Sequence, residues 1–102
     1  MRPRTDLHTL LLSIVGTGKK VYFQPPSTLI MTYPCIVYGL NDINSKFADN
    51  KPYNSEREYV VTVIDPNPDS PIPDKIAALP KTRYDRHLTI DNLNHDIFTI
   101  YF

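Results

Sequence analysis

The stretch Arg57 to Asp65, reading REYVVTVID, constrains the fold more than any other part of the chain. β-Branched and aromatic residues fill it, and apolar side chains fall at both odd and even positions, so a strand built from it is buried on both faces. A strand of that kind belongs in the middle of a sheet and must find neighbours elsewhere in the sequence.

Cys35 to Leu40 is a second strand, introduced by Pro34, which is tolerated at a strand's beginning but not in its middle. Val21-Tyr22-Phe23 is a short strand stopped by Pro25-Pro26. Residues 83–90 alternate, with Tyr84, Leu88 and Ile90 on one side and Asp85, His87 and Thr89 on the other, which predicts a half-buried strand. Asp91-Asn92-Leu93-Asn94 supplies turn chemistry, and the run His95 to Phe102 pairs back as the hairpin partner, inside the sheet.

Two helices accompany these strands. Leu7, Leu10, Leu11 and Ile14 recur at i, i+3, i+4 and i+7, predicting a helix over about residues 4–16, with Thr5 or Asp6 as its cap and Gly16 and Gly18 to end it. Ser70 before Pro71 reads as an N-cap with proline in the first turn, and Ile72, Ile76 and Leu79 carry a short helix that Pro80 terminates. The fold class is therefore α+β: a mixed, mostly antiparallel sheet of about five strands with two helices, in the order α-β-β-β-α-β-β.

Residues 41–56, NDINSKFADNKPYNSE, are polar and read as a loop or a loose hairpin arm. Such a connection is long for a compact domain, and long ordered connections tend to carry function.

At 102 residues the chain reads as a single domain, 1–102. The longest apolar run, Leu10 to Leu12 with Ile14 and Val15, is too short to cross a bilayer. The basic start Met1-Arg2-Pro3-Arg4 lacks the apolar run and small-residue cleavage site of a secretory signal. Eleven Lys and Arg balance eleven Asp and Glu, which removes any general electrostatic drive toward polyanions. Cys35, the single cysteine, stands between Pro34 and Ile36 as a small buried hydrophobe. The lack of a disulfide framework suits a reducing compartment such as a bacterial cytoplasm.

Catalytic motifs are not legible. The three histidines, His8, His87 and His95, show no metal-ligand spacing with one another or with Cys35. Asp85 and His87 share a strand face by alternation and are, with Arg86, the best nucleus for an acid-base site, set against a solvated strand face with one charge pair; His95 and Asp96, being adjacent, point apart. Gly16-Thr17-Gly18-Lys19-Lys20 follows a helix rather than a strand, so it reads as a turn and not a phosphate loop. None of the five serines stands in a nucleophile elbow. Seven tyrosines and four phenylalanines raise the possibility of base stacking, but the alternation of Phe98, Ile100 and Phe102 with Ile97, Thr99 and Tyr101 suits a core or a subunit interface better.

The order of segments as a whole resembles the small tail terminator, or tail completion, proteins of tailed bacteriophages. An amphipathic helix leads into VYFQPP at 21–26, YPCIVYGL at 33–40, a polar excursion, YVVTVID at 59–65, IPDKIAALP at 72–80 and the closing hairpin YDRHLTIDNLNHDIFTIYF at 84–102. The resemblance implies a structural virion protein, not an enzyme and without cofactor or metal. It implies a ring, commonly hexameric, that caps the tail tube, stops its polymerisation and meets the head-side connector in the neck, with no membrane and no sequence-specific nucleic acid among its partners. Asp42, Lys46, Asp49, Lys51, Glu56 and Arg57, of alternating charge in and beside the polar excursion, are then the candidate contacts with neighbouring subunits or the tube. Two other readings share the composition: another head-tail neck component, such as an adaptor or stopper, and a small module that binds nucleic acid or a protein.

Overall fold

In a computed structural model the described residues are 3–16, 19–48 and 51–102, with side chains described outside 42–56. Seven elements follow one another: α1 (Arg4–Val15), β1 (Lys20–Phe23), β2 (Cys35–Ala48), β3 (Lys51–Asp65), α2 (Ile72–Ala77), β4 (Thr82–Ile90) and β5 (Leu93–Tyr101). The five strands form one sheet in the order β1-β2-β3-β5-β4. Only β1 and β2 run parallel; the other pairings are antiparallel. The α+β class and the element order are those predicted, and β3 is the central strand that its two-sided apolar pattern requires.

Register assigns the described strand side chains to two faces. Three cross-strand rows, Ile36–Val63–Asp96–His87, Tyr38–Val61–Phe98–Tyr84 and Leu40–Tyr59–Ile100–Thr82, lie on the side covered by the helices. There they meet Leu7, Leu11 and Val15 of α1 and Ile72 and Ile76 of α2 to make the core. The buried stripe of α1 is thus Leu7, Leu11 and Val15, while Leu10 and Ile14 pack at its margin. The intervening rows, Val37–Thr62–Ile97–Arg86 and Gly39–Val60–Thr99–Arg83, lie on the opposite side, which no helix covers.

Several local expectations need correction. Pro3, not Thr5 or Asp6, is the N-cap of α1, and no side chain caps it; the Asp6 amide instead donates to the Pro3 carbonyl. Gly16 does end the helix, at φ 100°, a backbone angle open to glycine at little cost. In α2 the N-cap is Pro71, although the Ser70 hydroxyl still accepts from the Ile72 amide, and the helix stops at Ala77, before Leu79 and Pro80.

Of the two forms open for residues 41–56, the structure takes the hairpin arm. β2 and β3 extend into this segment as a two-stranded antiparallel ribbon, paired from Asp42↔Glu58 to Ala48↔Lys51, with register shifts at Leu40/Asp42 and Lys46/Phe47. Its backbone satisfies itself across the pair, so a polar sequence with little apolar alternation still forms strands.

β4 is an exposed edge strand, not a half-buried one: only Thr82 is partly covered, and Tyr84 and Ile90 are each about half exposed. Its register shifts between Tyr84 and Arg86, so Asp85 is the extra residue of a bulge. Such a bulge, with Arg83 and Arg86 beside it, discourages indiscriminate pairing at an open edge. The turn to β5 is tight, with Asp91 and Asn92 both at positive φ (51° and 62°) between the paired residues Ile90 and Leu93. That conformation is the one whose twist matches a two-residue hairpin.

Candidate functional site

Three polar networks surround the core. On the helix side, the Tyr38 hydroxyl joins α1 to β2: Arg4 Nη1 donates to it at 3.0 Å, and His8 Nδ1 lies 2.8 Å away. Arg4 also sits over the Phe23 ring, 4.2 Å from its centroid. Because the Tyr38 oxygen accepts from Arg4, its own O–H is directed to His8, which accepts as the neutral imidazole. Burial, then the Arg4 charge, hold the His8 pKa below its usual 6.5. The folded chain therefore resists a proton that the unfolded chain takes up, and stability falls as pH drops through about 6.5 toward the lower folded value. Melting temperatures of wild type and His8→Gln at about pH 7.5 and about pH 5.5 check this. Wild type is expected to lose more on acidification; equal losses would remove His8 from the acid response.

At the outer edge of the same side, Asp96 accepts from the Tyr84 hydroxyl at 3.0 Å and pairs with His87 Nδ1 at 2.8 Å. Thr89 Oγ1 is 3.3 Å from His87 Nε2. The order Asp96–His87–Thr89 has the sequence of groups of a nucleophilic relay. It stands on an open strand surface, however, where the His87 side chain is 44% exposed, and Asn94 Oδ1 competes for the Thr89 hydroxyl. A concavity that reaches Asp96 is lined by Pro73, Asp74, Ala77, Tyr84, Asp96 and Phe98, without His87 or Thr89.

On the uncovered side, Thr99 is buried within the sheet and its hydroxyl donates to Asp85 Oδ2 at 2.6 Å, while Arg83 Nε donates to Asp85 Oδ1 at 2.8 Å. The Thr99 hydrogen bond, followed by Arg83 and against the opposing effect of burial, holds the Asp85 carboxyl below its ordinary pKa. Alongside, Glu58 accepts from the Tyr101 hydroxyl and from the Asn41 amide. Replacing Thr99 by Val is expected to move the Asp85 pKa up toward the ordinary carboxylate range, read by carbon-detected NMR titration. Since a lowered carboxylate pKa stabilises above the unfolded value and is lost as pH falls through the folded one, the stability that Asp85 loses on acidification should shrink in the variant.

The residues singled out from sequence separate on these surfaces. Asp85 and His87 do not share a face: the bulge at Asp85 breaks the alternation, sending Asp85 to Thr99 and His87 to Asp96. The side-chain pairs thus form as Arg83–Asp85 and His87–Asp96. His95 Nδ1 donates locally to the Leu93 carbonyl, 3.1 Å away. Among the described residues no group of three or more His, Cys, Asp or Glu is arranged to hold a metal ion. Cys35 is fully buried, and burial, with Asp65 nearby, raises its pKa to about 11, so it packs as a hydrophobe.

Of the charged candidates, Asp42, Lys46, Lys51 and Glu56 lie on the ribbon, with Asp42 opposite Glu58 and Glu56 opposite Asn44. Their side chains, and Asp49 altogether, lie outside the described residues. Arg57 stands at the ribbon's base, where its amide and carbonyl pair with Phe102 and its Nε is buried without a hydrogen-bond partner among the described residues.

No protein-family model, curated protein or solved structure matches the chain.

One surface was passed over in the sequence. The connection from β1 to β2, residues 24–34, carries Leu29 at 38%, Ile30 at 90% and Tyr33 at 41% exposure. The signal was present as Leu29-Ile30-Met31, an apolar triplet in a stretch between prolines that contains no charge.

Proposed function

We propose that the chain is a structural subunit of a bacteriophage tail terminator-like ring, which caps the tail tube, ends its polymerisation and joins the tail to the head-side connector. The observation that carries this reading is the β2–β3 ribbon. Beyond the end of β5, its pairs from Asn44↔Glu56 to Ala48↔Lys51 have no strand on either side among the described residues. A two-stranded ribbon is marginal in water by itself, so a second surface that completes it is the physical expectation. The uncovered sheet side, with Val37, Val60, Thr62 and Ile97, adds surface suited to assembly more than to turnover. The segment order described from sequence supports the same assignment.

In this reading Asp42, Lys46, Asp49, Lys51, Glu56 and Arg57 set the register between copies or against the tube, since charges at an interface rim govern specificity more than affinity. The function needs neither cofactor nor metal, and it is exercised in the virion after synthesis in the bacterial host. Light scattering on the purified protein should give a closed oligomer, a hexamer by the resemblance. Electron microscopy of tails assembled without it should show overlong tubes. A strict monomer together with tails of normal length would overturn the proposal.

A further inference from the structure

We draw no further inference here: the strongest candidate, the apolar patch that Val37, Val60 and Ile97 form on the sheet side opposite the helices, carries nothing because nothing in the structure shows what covers it.

Discussion

Tyr38→Ala should remove a large share of the protein's stability. The ring is 1% exposed and packs between Phe23, at a centroid distance of 5.0 Å, Tyr59 at 6.0 Å and His8 at 5.6 Å. Truncating a buried aromatic to alanine costs about 3–5 kcal/mol, against a total stability of about 5–15 kcal/mol for a domain of this kind. In a domain of roughly 100 residues each kcal/mol moves the melting temperature by about 4–8 °C, so a fall of at least about 12 °C is expected. Tyr38→Phe separates the two contributions of the side chain. It keeps the ring and removes the hydroxyl that accepts from Arg4 and faces His8, for which about 1 kcal/mol is the ordinary net cost. Urea unfolding of both variants measures the difference. If phenylalanine proved as damaging as alanine, the hydroxyl bridge between α1 and β2, not the packing, would be what matters at this position.

Phe98→Ala is the second large effect. Phe98 is fully buried on β5, between Val61 of β3 and Tyr84 of β4, with the Tyr84 ring edge-on at 5.1 Å. Its loss opens a cavity where the two hairpin partners meet the core, at about 3–5 kcal/mol. Tyr84, in the same cross-strand row but 51% exposed, can relax into solvent, and Tyr84→Ala should cost less than about 1.5 kcal/mol. Denaturation midpoints for the pair give the comparison. Similar losses at the two positions would mean that β4 is covered in solution by something that the isolated chain does not show.

The sequence was most informative where burial imposed a period. REYVVTVID announced a central strand because Tyr59, Val61, Val63 and Ile64 are all buried, and that follows from side chains alone. Along the ribbon a loop and a hairpin arm stayed equally open for the converse reason. Residues 41–48 and 51–56 are held as strands by main-chain pairing, to which Asn, Asp and Lys contribute no apolar rhythm, and Pro52 sits opposite Phe47 at a register shift. At β4 the alternation was read correctly up to Tyr84 and then inverted, because a bulge of ordinary residue types leaves no mark at Asp85. The same shift explains why Asp85 and His87 could not be resolved into their true partners, Thr99 and Asp96: each partner lies on another strand and depends on register. Pro3 as the cap of α1 was missed because proline offers no side-chain acceptor, so the usual Thr or Asp was preferred at the next positions.

The place of β5 sets a condition on how the molecule comes into being. It is later in the chain than both strands it joins, lying between β3 and β4. While the ribosome is still making residues 93–101, β3 has no partner on that side and β4 has no sheet to belong to. The core face of Val61 and Val63 stays open until Phe98 and Ile100 arrive. The native sheet therefore forms only once β5 has been made, in a step governed by long-range closure more than by local preference.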